Sequence, residues 1–358
     1  MEKDKKEEPY GLVMVIGNGF DRNLGLPTSY GDYIDSPYWP FKNSKKEKDD
    51  CGYGLGAYLN GIQVVDRWID VEEQLHKYCS AKDPALQKYL DKIKLSEEEK
   101  KKFTGPSSIN SQIEMDYRKT KLLEQDRKDY DLLCSNFFNY LDFMSYSDFN
   151  PFSPAARLLT ALSDKIDLLF TFNYTDINKA IEHLGCSPID PDNIIYVHGS
   201  IHGESVTRNN PSVENNTAIL GIDDERPVLD NYKFMVKQYN ENFYRVNSNT
   251  KGRSLNKALK NARNVIFFGL SFGENDFSYF KSFFEHIDEL EVLESVTIFC
   301  YQDQQRLELL EHLAKIRHND STSVKFLQFN NDFQIITNGY KKESEEKMED
   351  FLYSMKLA

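Results

Sequence analysis

Short runs of apolar residues, each about the length of a β-strand, recur along the chain. Several runs are continuous rather than alternating, which is typical of strands buried on both faces of a parallel sheet. Segments with apolar residues at spacings of three and four lie between them and predict helices. This alternation predicts an α/β fold with a doubly wound, mostly parallel, Rossmann-like sheet. The predicted strands are Leu12–Ile16, Ile166–Phe172, Ile194–Val197, Ala218–Ile222, Val265–Leu270, Val296–Tyr301 and Val324–Phe329, and the predicted helices between them are Ala155–Leu162, Ile177–Leu184, Phe277–Leu290 and Gln305–Ile316.

One long region interrupts the alternation. Between residues 41 and 149 no strand is evident, and patterns such as Val64–Tyr78 and Leu122–Phe143 are helical. We therefore predict a discontinuous Rossmann core, residues 1–40 and 150–340, with a helical insertion over residues 41–149 and a C-terminal helix or tail over residues 341–358. The charged stretches Ser44–Asp50 and Lys100–Ile109 are predicted to be solvated loops.

Composition narrows the function classes. The 358 residues include 44 basic and 57 acidic side chains, a net charge of −13, which disfavours a nucleic-acid binder because such proteins usually carry a basic face. The five cysteines form no C-x-x-C pair, so neither a disulfide framework nor a thiolate zinc site is expected. The N-terminus is too polar for a signal peptide, and no apolar run reaches the roughly 18 residues that cross a bilayer. We expect a cytoplasmic protein without a membrane segment.

The first candidate site is a glycine turn directly after the first predicted strand. Gly17 and Gly19 lack a Cβ and would let a ligand approach the backbone, and the following helix start would favour an anion such as phosphate. The third glycine of the usual dinucleotide fingerprint is missing, and Asp21 would repel a pyrophosphate unless it faces a ribose or caps the helix. A tight strand-to-helix turn with an Asp cap is the structural alternative.

Two further strand ends carry polar side chains. Asn173 follows a buried strand and is expected in the same crevice as the glycine turn, where its carboxamide could hold a water or a ribose hydroxyl. The alternative is a loop-fixing Asn173, with Thr175 or Asp176 capping the next helix. His198 ends another strand and can accept a proton near neutral pH, although it could equally be a structural histidine; a metal pair with His202 lacks a third ligand.

A fourth strand end combines a serine with acidic residues. Ser271 could contact a phosphate or ribose, and Glu274 or Asp276 could receive ribose hydroxyls. The spacing of Gly269, Ser271 and Gly273 also matches the G-x-S-x-G elbow of serine hydrolases, which keeps that class as an alternative. Its histidine would have to come from His286, His312 or His318, and these fall in or beside helix-like stretches.

Several motifs together resemble the bacteriophage abortive-infection family called AbiH. These are Gly17-Asn-Gly-Phe-Asp21 with Gly25-Leu-Pro-Thr28, then Trp68-Ile-Asp-Val-Glu72, Thr171-Phe-Asn173-Tyr-Thr175, Val197-His198-Gly199 and Gly269-Leu-Ser271-Phe-Gly-Glu-Asn-Asp276. The resemblance spans roughly residues 11 to 290. That family in turn looks like a divergent branch of the sirtuin-like fold, in which corresponding segments assemble an NAD site.

The resemblance implies a function and a set of site residues. Sirtuin deacylases carry a four-cysteine zinc module that this chain lacks, which favours cleavage of NAD itself, as in defence-associated sirtuin-like proteins. Asp21 stands where sirtuins usually have serine. The resemblance implies catalytic roles for His198 and Asn173, NAD as substrate and no metal. The NAD-binding set that it implies is Gly17, Asn18, Gly19, Phe20, Asp21, Thr171, Ser271, Glu274 and Asp276.

The hypothesis is therefore an NAD glycohydrolase of anti-phage defence, silent until triggered, that releases nicotinamide and ADP-ribose. We expect a homo-oligomer that responds to a phage-derived trigger or to a partner defence protein. The insertion would sense this signal or form the contact between subunits.

A non-catalytic NAD or ADP-ribose sensor is the alternative. A dehydrogenase would need an acidic residue on a second strand after the glycines. Asp32 or Asp35 could be that residue, but Pro37 and Pro40 disfavour a strand at that place. A nuclease is disfavoured because the sequence shows no carboxylate cluster of the metal-binding type.

Overall fold

The chain forms two compact units in the computed structural model. One comprises Met1–Thr28, Met144–Ala218 and Arg245–Ala358, and the other comprises Ser29–Phe143 and Ile219–Tyr244. The second unit thus differs from the predicted insertion at both ends and includes a segment from later in the chain. The structure describes residues 8–41, 53–61, 70–80, 89–90, 92–103, 107–201, 217–223, 226–240, 243, 254–272, 277–316, 333–337 and 342–357.

The first unit contains a six-stranded sheet in which all neighbouring strands are parallel. The strands are ordered β3-β2-β1-β4-β5-β6 across the sheet, which is the order of a Rossmann-like doubly wound fold. The predicted fold class is therefore confirmed. The strands are β1 Tyr10–Ile16, β2 Leu168–Thr171, β3 Ile194–Tyr196, β4 Ala262–Phe268, β5 Ser295–Cys300 and β6 Phe333–Thr337.

Alternate residues of the central strands supply two separate cores. In β1, Met14 and Ile16 join one buried cluster, whereas Val13 and Val15 join the other. Because successive strand side chains point to opposite faces, a continuous apolar run is what a sheet covered on both sides requires.

Helices cover each face of this sheet. In the first unit α1 is Asn18–Asn23, and the later helices are α7 Pro154–Leu162, α8 Ile177–His183, α9 Leu255–Lys260, α10 Phe277–Glu285, α11 Asp303–Ile316 and α12 Lys342–Leu357. Residues of α7, α8 and α12 join the cluster that contains Met14, and residues of α9, α10 and α11 join the cluster that contains Val13. Side chains cap several helix starts: Ser153 accepts from the Ala156 amide and Asp176 from the Asn178 amide.

Two of the predicted strands are not among the six strands that the structure describes in the sheet. Ala218–Ile222 is not a strand of the sheet, and that prediction is wrong: only Ile222 forms an isolated bridge, to Val236. Ala218, Ile219, Leu220 and Ile222 are all buried, so burial without strand pairing explains their apolar character. The predicted strand Val324–Phe329 lies outside the described residues, and β6 begins later, at Phe333.

The second unit is helical. Its helices are α2 Tyr30–Asp35, α3 Leu55–Asn60, α4 Val71–Cys79, α5 Glu97–Lys101 and α6 Ser107–Asp142. The predicted loop over Lys100–Ile109 is wrong at both ends, because α5 continues to Lys101 and α6 begins at Ser107. Ser44–Asp50 lies outside the described residues. No helix among the described residues is both long and apolar enough to cross a membrane.

A buried carboxylate ties three segments of the second unit together. Asp126 Oδ1, on α6, accepts hydrogen bonds from the Leu55 amide at 2.7 Å and the Tyr78 hydroxyl at 2.9 Å. Its Oδ2 accepts from the Tyr232 hydroxyl at 2.6 Å. Burial raises the pKa of Asp126 to about 6, while these donors oppose the shift.

Replacing this carboxylate should destabilise the protein strongly. Asp126→Ala leaves three buried donors without an acceptor, so we expect a loss of at least about 3 kcal/mol in the free energy of unfolding. Urea denaturation of the variant measures it. Asp116→Ala removes an exposed carboxylate from the same helix and should change stability by less than about 0.5 kcal/mol. Equal effects of the two substitutions would contradict the assignment.

Candidate functional site

The four polar strand ends singled out in the sequence lie along one edge of the sheet. β1, β2, β3 and β4 are parallel neighbours in the order β3-β2-β1-β4, so their carboxyl ends meet at the same edge. The chain winds outward in opposite directions from β1 and β4. In open α/β sheets, ligands bind at this reversal of strand order, outside the carboxyl ends.

The turn after β1 packs directly against the turn after β4. The Gly17 amide donates to the Phe268 carbonyl, and the Gly19 amide donates to the Gly269 carbonyl, each at 3.0 Å. A Cβ on Gly19 would lie 2.7 Å from the Gly269 Cα, and one on Gly17 would lie 2.8 Å from the Gly269 carbonyl oxygen. These glycines therefore serve the contact between two backbone turns, a reason the sequence did not indicate.

Asn18 and Phe20 hold the same turn. The Asn18 Oδ1 accepts a hydrogen bond from the Thr28 hydroxyl at 2.5 Å, which links the two halves of the Gly17–Thr28 motif. Phe20 is fully buried and packs edge-on against Phe268 at a ring distance of 5.1 Å. Both side chains thus face the protein.

Asp21 is a buried acid at the centre of this turn. It is 2% exposed. Its Oδ1 accepts from the Asn173 side-chain amide at 2.9 Å, and its Oδ2 accepts from the Thr175 hydroxyl at 2.5 Å. Burial raises the pKa of Asp21 to about 7, even though both hydrogen bonds favour the charged form. Asp21 is therefore a carboxyl group that changes charge near neutral pH.

Asn173 connects β2 to the glycine turn. It is 6% exposed, and its Nδ2 donates to the Gly17 carbonyl at 3.0 Å in addition to Asp21. Its backbone amide donates to the buried Thr171 hydroxyl at 3.0 Å. Asp176 caps α8, as one sequence alternative expected, whereas Thr175 bonds Asp21. The structure thus brings Gly17, Asp21, Thr171 and Asn173 together.

His198 lies at the end of β3 in an aromatic environment. It is 7% exposed, and its ring lies 5.3 Å from Phe172 and 6.1 Å from Tyr279, nearly perpendicular to both. Gly199 follows with φ +75°, and a Cβ there would collide with the Thr217 carbonyl. The glycine of the His-Gly pair thus provides the left-handed backbone and the close approach that fix the histidine's position.

Ser271 is exposed after β4. The residue with a left-handed backbone is Phe272, φ +51°, rather than the serine. In a serine-hydrolase elbow the strained turn carries the serine itself, so this geometry does not favour that class. Glu274 and Asp276 lie outside the described residues.

Sequence reasoning missed three contributors to this arrangement. Apart from their places in the AbiH motifs, Thr175 was considered as a helix cap and Gly269 as part of the serine motif. Tyr279 was not considered. The signal for Gly269 is its position directly after a buried strand that neighbours the Gly17 strand. No group of three His, Cys, Asp or Glu side chains in the described part of the chain is placed to hold a metal ion.

The sheet order and the glycine turn at its reversal point define a Rossmann-like α/β protein. A family model described as bacteriophage abortive infection AbiH matches residues 13–298, about four-fifths of the chain. The chain belongs to the AbiH family, and this membership makes it a protein of phage abortive-infection defence. Searches of curated proteins and of solved structures found no match.

The raised pKa of Asp21 predicts a specific pH dependence of stability. The folded protein favours the protonated acid, so this contribution is present below about pH 4 and is lost as the pH rises through about 7. The difference in unfolding free energy between wild type and Asp21→Asn should fall by up to about 4 kcal/mol across this window. Urea unfolding at several pH values measures it, with the exposed Asp164→Asn as the matched control. A constant difference would contradict the assignment.

The contact between the two turns predicts that Gly19 tolerates no side chain. Gly19→Ala places a Cβ against the Gly269 backbone, and overpacking of this kind costs about 1 to 3 kcal/mol. Thermal unfolding measures the loss. Gly61→Ala is the control, because a Cβ there meets its nearest atoms at an ordinary 3.4 Å and its φ is −83°. An unchanged Gly19→Ala protein would show that the turns separate easily.

Proposed function

We propose that this AbiH protein acts in the cytoplasm by hydrolysing NAD to nicotinamide and ADP-ribose. The supporting observation is the hydrogen bond between Asn173 and the Gly17–Gly19 turn at the reversal of strand order, with His198 two residues after the end of the neighbouring strand β3. Dinucleotides bind Rossmann-like sheets at this place. The resemblance of the motifs to those of sirtuin-like proteins is the reason for proposing NAD as the dinucleotide.

An acidic chain can bind this anionic substrate through hydroxyl groups. Ser271 is exposed at the end of β4, the strand next to β1. A hydroxyl binds phosphate without a lysine, whereas the Gly17 and Gly19 amides already donate to the turn after β4. We propose that the pyrophosphate lies over these two turns and that Glu274 and Asp276 receive ribose hydroxyls.

The reaction would require little covalent chemistry from the protein. Water attacks the anomeric carbon of the nicotinamide ribose, the glycosidic bond breaks, and its electron pair neutralises the departing pyridinium. The transition state is oxocarbenium-like, so orienting the water and removing its proton are the protein's tasks. In this proposal His198 accepts the proton and passes it to solvent, and Asn173 orients the water.

The aromatic surroundings of His198 fit the role of a base. Phe172, Tyr174 and Tyr279 surround an imidazole that is largely shielded from water. Packing among these rings holds the imidazole in one place, as a general base requires.

The second unit is the proposed receiver of the infection signal. It has its own buried hydrogen-bonded core, centred on Asp126, and contributes none of the residues assigned to NAD. A phage-derived trigger, a partner defence protein or a second copy of the chain would act there. Silence before infection would follow, because unregulated NAD loss harms the host.

The proposal predicts conversion of NAD to nicotinamide and ADP-ribose by the purified protein, alone or after mixing with lysate of phage-infected cells. Chromatography with mass detection measures both products. His198→Gln should lower the rate at least about 100-fold, because a positioned general base contributes factors of this size. His286→Gln is the matched control, since His286 is an exposed histidine of the same unit.

Two results would refute hydrolysis. One is intact NAD in every triggered state; the other is an unchanged rate in the His198→Gln variant. Calorimetric titration with ADP-ribose then separates the remaining possibilities, since binding without cleavage would identify a sensor. Release of nicotinamide without ADP-ribose would instead indicate transfer to another acceptor.

A further inference from the structure

The Asn173 carboxamide uses both of its hydrogens within the protein. One is donated to the Gly17 carbonyl at 3.0 Å and the other to Asp21 Oδ1 at 2.9 Å. Its Oδ1 accepts no hydrogen bond from the residues that the structure describes. The side chain thus has only an acceptor left for a ligand.

The chemistry of the two partners fixes this orientation. A backbone carbonyl and an ionised carboxylate are both acceptors, so each demands the NH2 end of the amide, and Asp21, with its pKa raised to about 7, is ionised above that pH. Gly17 alone would fix one hydrogen only. Asp21 fixes the second and thereby sets the plane of the carboxamide.

Asp21 is itself held rigidly. The Thr175 hydroxyl binds its other oxygen at 2.5 Å, and its backbone carbonyl accepts from the Leu26 amide at 2.9 Å. With 2% of its surface exposed, Asp21 has no face to offer a ligand. Its influence on a reaction must pass through Asn173.

We infer that Asp21 is a positioning residue, which holds the Asn173 carboxamide so that Oδ1 faces the substrate as a pure hydrogen-bond acceptor. This inference rests on the proposed hydrolysis of NAD. A water that donates one hydrogen to Asn173 Oδ1 keeps a lone pair for the anomeric carbon. A misoriented NH2 group would instead bind that lone pair and block attack.

The variants for the test follow from hydrogen-bond capacity. Asp21→Leu has a similar size and offers no acceptor, so it releases the Asn173 amide. Asp21→Asn can still accept from Asn173 and donate to Thr175, so it preserves the orientation. Asn178→Ala removes two hydrogen bonds to the Ile189 backbone in the same unit, outside the candidate site, which makes it the matched control for lost stability.

Steady-state kinetics with NAD should separate positioning from binding. For Asp21→Leu we expect kcat to fall about 100-fold with KM nearly unchanged, because misplacing a reacting group costs rate rather than affinity. Asp21→Asn should restore kcat to within about threefold of wild type, because it restores the acceptor for Asn173, and Asn178→Ala should also retain kcat within about threefold. An unchanged kcat in Asp21→Leu, or a raised KM at constant kcat, would overturn the inference.

A second measurement does not need activity. In protein labelled with 15N-asparagine, the Asn173 side-chain signals are those lost in Asn173→Ser. They should be protected from hydrogen exchange in wild type, Asp21→Asn and Asn178→Ala, and should lose protection in Asp21→Leu. Equal protection in Asp21→Leu would refute the positioning role. If wild type leaves NAD intact while this pattern holds, only the proposed function fails.

Discussion

The contact between the backbone turns after β1 and β4 is the constraint on which the site depends. Two amide-to-carbonyl hydrogen bonds join the turns, and glycine on both sides allows the approach. This contact sets the direction in which α1 leaves the sheet. Because Asp21 lies on α1, the contact also decides where a buried acid meets the end of β2.

The site therefore has an order of dependence. The turns position Asp21, Asp21 positions Asn173, and Thr175 fixes the remaining carboxylate oxygen. His198 packs among aromatic rings and is followed by the left-handed Gly199. Hydrogen bonds thus hold Asn173 after β2, whereas aromatic packing holds His198 after the neighbouring strand β3. Polar contacts fix direction, whereas aromatic packing fixes the environment.

Much of the fold follows from sequence patterns. Continuous apolar runs predicted five of the six strands, because burial on both sheet faces leaves a strong signal. Ala218–Ile222 was misread because a buried segment without strand pairing has the same composition. The short strand β6 was missed because Phe333–Thr337 includes two polar residues and carries little periodic signal.

The sequence predicted where the site lies in the fold but not which side chains are hydrogen-bonded to one another there. Parallel strands bring their carboxyl ends to one edge, so the residues near it could be named from the sequence. Hydrogen bonds between Asp21 and Asn173 depend on side-chain directions of residues 152 positions apart, which no spacing rule reveals. The same holds for Gly19, whose partner Gly269 is recognised only once β1 and β4 are known to be neighbours.

The helix α12 has a consequence for how the protein is made. Phe351 packs against Phe299 of β5, and Met348 and Leu352 belong to the same buried cluster as Met14. One face of the central sheet is therefore fully covered only when residues after 342 have left the ribosome, because α7 and α8 cover the rest of it. The strand that carries the glycine turn is synthesised long before this helix. A nascent chain thus lacks a complete core until synthesis of this helix is finished.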